Sequence, residues 1–209
     1  MHAGKGLVLA AFLLAIGAPA AAEPHDGHPV SVRVYDMAGL DAGTIRTALA
    51  TADAVLRSAS IAVQWEECAA RSTPARCEAP LTGQYVVRVV RTAGGSTRGR
   101  QALGDALVDM ATGSAVFATI YFQRVHRLAQ SAGADEAELL GYAFAHELGH
   151  LLLASHEHSA QGLMRPIWRE RELRLPRGAD WQFSAQDAAA IRDRVEAARL
   201  SPNIVWTTR

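Results

Sequence analysis

An α+β fold with a twisted, mostly parallel sheet and helices packed on it is predicted by two features of the 209-residue chain. Segments rich in β-branched and aromatic residues alternate with segments whose apolar residues recur at helical spacing, and no internal repeat interrupts them. Such alternation is typical of sheets in which neighbouring strands run parallel and helices connect them. The length is sufficient for one domain with a substantial core.

Five segments are predicted to be strands. The first alternates apolar and polar residues, as a strand does when it buries one face. The third is a nearly continuous run of β-formers. A glycine- and serine-rich turn at residues 93–99 precedes the fourth strand, and Thr112-Gly113 joins the fourth to the fifth. The predicted strands are residues 30–36, 61–66, 85–91, 103–108 and 115–122.

Helices are predicted between and after these strands. The first is rich in alanine, with apolar residues at helical spacing. The third begins at Asp135, which has the spacing of a capping box with Glu138. Ser184 is a favourable N-cap for the last helix, and the segment 168–181 before it is predicted to be irregular and charged. The predicted helices are residues 41–58, 123–131, 135 to about 154, and 184–200.

The third predicted helix contains the sequence His146-Glu147-Leu148-Gly149-His150. Since a helix repeats every about 3.6 residues, the two histidines lie one turn apart on one face, where both imidazoles can reach a single metal ion. Glu147 lies about 100° around the helix from His146, where it can touch a water held by the ion without ligating the ion itself. This pattern predicts a Zn2+ site with Glu147 as the catalytic general base.

The same helix carries an apolar stripe on another side. Its leucines and its phenylalanine recur at the steps of a buried face, so we expect the stripe to pack into the core and the histidines to face a cleft. Gly149 is a poor helix former, which predicts close packing of another backbone against the helix there. The stripe consists of Leu140, Phe144, Leu148, Leu151 and Leu152.

Three downstream segments extend the motif into a family pattern. Ser155-His156-Glu157-His158-Ser159 supplies further histidines, and Gly162-Leu163-Met164-Arg165-Pro166 places a methionine in a tight turn. Phe183-Ser184-Ala185-Gln186-Asp187 begins the last helix. In these residues the chain resembles the metzincin metalloproteases, and most nearly the matrixin type, whose pattern is H-E-x-x-H-x-x-G-x-x-H followed by a methionine turn.

One departure from that pattern leaves the third metal ligand open. The family's glycine, whose freedom at positive φ lets the chain leave the helix, is replaced by Leu153. The helix is therefore expected to run on to about Ala154, and the later return to the metal favours His158 as the third ligand. His156, which has the family's spacing, is the alternative. A ligand from elsewhere in the chain is a third option.

The resemblance implies a zinc-dependent endopeptidase. In that family the strand corresponding to residues 103–108 runs antiparallel at the edge of the sheet, and an extended peptide or protein substrate binds to it as an added strand. By the same resemblance, Glu147 takes a proton from a zinc-bound water that attacks the scissile carbonyl. Met164 is expected to form an apolar floor beneath the histidines without ligating the metal.

Two other functions are compatible with these residues. The departure at Leu153 leaves room for a catalytically silent, secreted zinc-binding or interaction module of the same fold, although a pure binder has no need of Glu147. A zinc hydrolase acting on a non-peptide amide would have the same central residues. Asp105 and Asp109 are expected at a solvated strand end.

The first residues predict export. Lys5 precedes an apolar run, and Ala20-Ala21-Ala22 supplies the small residues of a cleavage site, so residues 1–22 are predicted to be a signal peptide. Residues 23–209 would then form a single catalytic domain, secreted or periplasmic. The apolar run is too short to span a bilayer, and no other stretch approaches the required length. In an oxidising compartment Cys68 and Cys77 are expected to form a disulfide.

The charge balance bears on the choice of partner. Lysine plus arginine and aspartate plus glutamate number 21 each, which indicates neither nucleic acid nor an anionic membrane as a partner. We therefore expect a substrate that is not chosen by bulk charge. The chain is also expected to be a monomer.

Overall fold

A five-stranded mixed sheet is the framework of the computed structural model, which describes residues 29–69, 77, 83–92, 102–174 and 178–200. The strands are β1 (Val30–Asp36), β2 (Val63–Ala69), β3 (Gln84–Val90), β4 (Gly104–Asp109) and β5 (Ser114–Tyr121). They lie in the order β2-β1-β3-β5-β4, with β4 antiparallel to β5 and the other pairs parallel. The predicted sheet with an antiparallel edge strand is confirmed.

The helices begin and end within one residue of the predicted bounds, with one addition. They are α1 (Ala42–Ser58), α2 (Phe122–Ala132), α3 (Glu136–Leu153), α4 (Glu170–Leu173) and α5 (Ala185–Leu200). Helix α4 and a 3-10 helix at Ala179–Trp181 show that the prediction of an irregular segment 168–181 is wrong. Local hydrogen bonds form α4 without apolar periodicity, since the N–H of Arg169 donates to Oε2 of Glu172 at 3.0 Å.

Strand β2 begins later than predicted, at Val63 rather than at residue 61. The reason is the end of α1, because the N–H of Ile61 donates to the carbonyl of Leu56 at 3.0 Å. Ile61 therefore completes the turn that closes the helix, and its buried side chain belongs to the core beneath that turn.

Helix α3 is the central element of the core. Its N-cap is Asp135, whose Oδ1 accepts from the N–H of Glu138 at 2.8 Å. It packs against α1, β4 and β5, and the predicted stripe from Leu140 to Leu152 is buried. Gly141 permits the contact with α1, because a Cβ there would lie 2.5 Å from the carbonyl oxygen of Ala48.

The prediction of a backbone packed against Gly149 is wrong. A Cβ at that position would lie 2.6 Å from Sδ of Met164 and 2.8 Å from Cε1 of Phe183. Two side chains, rather than a main chain, therefore fill the space that this glycine leaves.

The predicted disulfide joins Cys68, at the end of β2, to Cys77, with 5.9 Å between the two Cα atoms. Both cysteines are buried. The hydroxyl of Tyr35 donates to the carbonyl of Cys77 at 3.2 Å, so Cys77 is held both to the end of β2, through the disulfide, and to β1.

The structure bears on membrane spanning by the described residues but not on the predicted export signal. Among the described residues, no helix has both the length and the apolar character needed to cross a membrane. The predicted signal peptide at residues 1–22 and the predicted turn at residues 93–99 lie outside the described residues. Export and the division at residue 22 therefore stay predictions.

Candidate metal centre

Helix α3 presents His146 and His150 on one face, as their spacing predicts. Their Nε2 atoms are 3.2 Å apart, which is close to the separation of about 3.4 Å expected for two imidazole nitrogens on one tetrahedral zinc. The other ring nitrogens face backbone carbonyls: Nδ1 of His146 lies 2.9 Å from the Leu163 oxygen, and Nδ1 of His150 lies 2.8 Å from the Ser155 oxygen. A proton on each Nδ1 would satisfy these contacts and leave both Nε2 lone pairs for a metal.

The end of α3 explains how the next segment returns to these two histidines. Ala154 has φ 44° and ψ 48°, the left-handed conformation that a glycine usually supplies at a helix end. Its N–H donates to the carbonyl of Leu151 at 3.1 Å, and that of Ser155 donates to the carbonyl of His150 at 3.2 Å. The helix thus runs through Leu153, as the sequence predicts, and reverses one residue later than the family's glycine would allow.

This late reversal brings His158 to the pair. Ligand nitrogens of His146, His150 and His158 all lie within 4.8 Å of one another. The ring of His158 is centred 5.4 Å from that of His146 and 4.7 Å from that of His150. His156 is directed elsewhere, since its Nε2 lies 3.2 Å from the carbonyl oxygen of Val108 on β4. The geometry therefore favours His158 over His156 as the third ligand.

The electrostatics of the three imidazoles suit a metal. Burial, reinforced by the neighbouring His150, lowers the pKa of His146 to about 3. Burial likewise lowers the pKa of His150 to about 4 and lowers the pKa of His158. Neutral imidazoles keep the lone pairs that zinc requires, so the three-histidine group fits Zn2+.

Glu147 lies against β4. Its side chain is buried, and a Cβ at Gly104 would lie 2.4 Å from its Oε1. Burial, with a further contribution from the charge of Asp105, raises the pKa of Glu147 to about 8. Asp105, expected at a solvated strand end, therefore influences the candidate base. Gly104 was not among the predicted site residues, and its one sequence signal is a glycine at a strand, which indicates a close approach of some other group.

The floor of the site is the turn that contains Met164. Met164 is fully buried, and its side chain packs against α3 at Gly149. The carbonyl of Leu163 accepts from Nε1 of Trp168 at 3.2 Å and also lies 2.9 Å from Nδ1 of His146. The Trp168 ring meets the His146 ring nearly edge to face, with centroids 5.5 Å apart, so this tryptophan orients a predicted ligand.

The last helix holds the loop that follows His158. Oγ of Ser159 donates to Oδ1 of Asp187 at 2.7 Å, and Oγ of Ser184 donates to Oδ2 of the same carboxylate at 2.7 Å. The N–H of Ser159 donates to the carbonyl of Met164 at 2.9 Å. The Ser-x-x-Asp segment at the start of α5 therefore acts on the site by holding the residue next to His158.

A cleft of about 1660 Å³ opens beside the histidines. It is bounded by the amino-terminal end of β4, by α2, and by the segment from Arg165 to α4. Glu147 and the three histidines line it together with His156. The candidate base and the candidate ligands thus face one accessible volume.

Two solved structures similar to this chain have the same architecture. Archaemetzincin from Methanopyrus kandleri gives a TM-score of 0.54 at 13% identity, covering 80% of this chain and 96% of that one. A zinc-dependent peptidase from Methanocorpusculum labreanum (strain Z) gives 0.52 at 13% identity, covering 77% and 99%. The chain has an archaemetzincin-like fold. The sequence matches no protein-family model and no curated protein, so the likeness concerns the fold.

Replacing His158 is expected to abolish stoichiometric zinc binding, whereas replacing His156 is not. Loss of one of three imidazoles should weaken zinc at least about a hundredfold, because changes in the groups that merely orient the ligands already cost up to that much. Elemental analysis and competition with a chromophoric chelator on His158→Ala and His156→Ala measure the difference. Zinc lost from His156→Ala and kept by His158→Ala would assign the third ligand to His156.

Glu147→Gln is expected to stabilise the chelator-treated protein at pH 8. Burial raises the pKa of Glu147 from its ordinary value of 4.5 to about 8 in the folded protein. Proton binding at Glu147 therefore adds to the free energy of unfolding. This contribution is fully present below pH 4.5 and is lost as the pH rises to about 8. Glutamine mimics the protonated group, so the gain at pH 8 should be at least about 2 kcal/mol and should shrink towards pH 4.5.

Urea unfolding at pH 5 and pH 8 tests this expectation. Asp193→Asn, which neutralises an exposed carboxylate on α5, is the matched control and should show no such gain. Equal stability of wild type and Glu147→Gln at pH 8 would contradict the burial of a charged carboxylate.

Proposed function

We propose that this chain is a secreted or periplasmic zinc-dependent endopeptidase of the matrixin-like metzincin type. One observation carries the proposal: three neutral imidazoles converge beside a buried carboxylate, that of Glu147, in an accessible cleft that the edge strand β4 lines. The fold supports it, since the two similar structures are an archaemetzincin and a zinc-dependent peptidase. The signal-peptide pattern and the disulfide support export.

The imidazoles of His146, His150 and His158 would hold the ion. Their Nδ1 contacts with backbone carbonyls orient the first two rings, and the Asp187 contact to Ser159 holds the backbone beside the third. When bound there, Zn2+ supplies Lewis-acid chemistry, polarising a carbonyl and making water nucleophilic near neutral pH.

Glu147 is the proton carrier in this mechanism. Its buried side chain lines the cleft beside the three histidines, where the carboxylate can accept a proton from a water molecule. It takes a proton from the attacking water as the new C–O bond forms, and it returns that proton to the amine nitrogen as the C–N bond breaks. Gly104 lies against the carboxylate where β4 forms a wall of the cleft.

Strand β4 offers the surface on which a peptide would lie. The carbonyl of Leu103 accepts from the N–H of Tyr121 at 2.8 Å, so Leu103 faces β5. Because backbone groups alternate sides along an antiparallel strand, those of Gly104 and Ala106 face away from β5. No other described strand pairs with that side of β4. An extended peptide added there would pass Glu147 with its main chain held in a cleavable form.

The catalytically silent alternative fits these observations less well. A zinc-binding module would have no use for a carboxylate that costs free energy to bury, and Glu147 is buried without being in the three-histidine group. A hydrolase of a non-peptide amide would share the central residues. The side of β4 on which no described strand pairs favours the peptidase, because strand addition requires a peptide main chain.

Glu147→Gln is expected to keep zinc and to reduce peptide cleavage by about a hundredfold or more, the range for loss of a general base. The mature wild-type protein and the variant are incubated with a diverse peptide library, with and without a chelator, and products are quantified by mass spectrometry. Glu196→Gln, which changes an exposed carboxylate on α5 outside the cleft, is the matched control and should cleave as wild type does. Undiminished cleavage by Glu147→Gln would remove this residue from the mechanism.

Gly104→Ala is expected to keep zinc and to lose activity, because its Cβ would lie 2.4 Å from Oε1 and 2.6 Å from Cδ of Glu147. The displaced base should reduce kcat/KM by about tenfold to a hundredfold. Gly178→Ala is the control, since a Cβ there meets nothing within 4 Å. Equal kcat/KM for the Gly104→Ala variant and wild type would show that the base does not depend on this approach of β4.

A further inference from the structure

The cleft beside the histidine group is more basic than the protein as a whole. The chain has 21 basic and 21 acidic side chains, excluding histidine. The described lining of the cleft nevertheless holds six arginines and three carboxylates, one of which is Glu147. This local excess has no counterpart in the composition and calls for a negatively charged ligand. The arginines are Arg124, Arg127, Arg165, Arg169, Arg171 and Arg174.

Two of these arginines serve the structure. Arg165 is mostly buried, and its guanidinium lies 3.7 Å from a Glu172 carboxylate oxygen and donates to the carbonyl of Asp180 at 3.0 Å. Arg174 pairs with Glu170 at 3.8 Å and donates to the carbonyls of Ser131 and Ala132 at the end of α2. These contacts fasten α4 and its flanking segment to α2 and so fix the distance between two walls of the cleft.

Arg127 on α2 and Arg171 on α4 differ from that pair. Both are exposed, and within the described part of the chain neither forms an ion pair or a hydrogen bond through its side chain. They therefore line the cleft with charges that no carboxylate among the described residues balances. Arginine binds carboxylates well because its planar guanidinium donates two parallel hydrogen bonds.

The position of the arginines sets which part of a substrate they would meet. Nη1 of Arg124 donates to the carbonyl of Ala102 at 2.6 Å, which places α2 at the amino-terminal end of β4. His156 lies at the other end, against Val108. A peptide pairing antiparallel with β4, the more stable arrangement, would run its carboxyl-terminal part past Ala102. With Glu147 beside Gly104, the arginines would face the residues that follow the scissile bond.

We propose that the enzyme selects peptides with acidic side chains on the carboxyl-terminal side of the cleaved bond, through Arg127 and Arg171. This inference rests on the proposed peptidase function and names its substrate class. Because the two guanidinium groups are exposed, the preference weakens as salt concentration rises. The main chain is still held by β4, so the arginines determine which extended peptides bind well and Glu147 carries the proton.

Three sets of peptides that share one core sequence test the proposal. The first set has Glu before the cleaved bond, the second has Glu after it, and the third has Gln in both places. We expect kcat/KM to be about tenfold higher for Glu after the bond than for Gln, and the ratio to fall towards one in 0.5 M salt. The double variant Arg127→Gln, Arg171→Gln should reduce the ratio to about two or less. Arg46→Gln, an exposed arginine on α1 outside the cleft, is the control and should leave it unchanged.

A binding measurement separates this proposal from the proposed function. Fluorescence anisotropy of the same labelled peptides on zinc-loaded Glu147→Gln protein reports selection without turnover. If wild type cleaves no peptide, the proposed peptidase function fails. The acidic preference is still supported if the peptide with Glu after the bond binds more tightly than the Gln peptide. That difference should be lost in the triple variant Glu147→Gln, Arg127→Gln, Arg171→Gln. Equal binding of Glu and Gln peptides, or an undiminished ratio in the double variant, would overturn it.

Discussion

The left-handed turn at Ala154 is the constraint on which the arrangement of the metal centre depends. Because α3 continues through Leu153 before the backbone reverses, the following loop reaches the histidine pair later than it would after a glycine at that position. The conformation costs alanine roughly 1–2 kcal/mol, and the hydrogen bonds from Ala154 and Ser155 to the last helical turn offset this cost. The same turn aims the Ser155 carbonyl at His150 and delivers His158 beside it.

A second constraint joins the sheet to this helix. β4 is the edge strand and runs antiparallel to β5, and its amino-terminal end passes over α3 at Glu147. A residue without a Cβ is required there, since any other would occupy the space of the carboxylate. Gly104 therefore sets the position of the base relative to both His146 and the side of β4 on which no described strand pairs. The chemistry of the site depends on strand order as much as on the helical motif.

Patterns among residues that are close in sequence predict most of the fold and half of the site. Periodicity located the strands and helices, and helical geometry placed His146 and His150 together, because both depend on residues close in sequence. Contacts between distant segments leave no such pattern. A glycine in a strand indicates a close approach without naming its partner, so Gly104 could not be matched to Glu147. Likewise, Gly149 signalled tight packing, but the side chain of Met164 that provides it is fixed only by the tertiary fold.

The loop from Ser155 to Met164 shows how an exposed ligand can still be held in place. His146 and His150 are buried and fixed by their helix, whereas His158 is exposed, so packing alone cannot orient it. Its neighbours do so instead: His156 is anchored on β4, and Ser159 is anchored on Asp187 of α5. Both anchors lie within two residues of His158 and on opposite sides of it in sequence. His156, the first histidine of the loop, is thus a tether for His158, the second, which explains how two histidines so close together can have different roles.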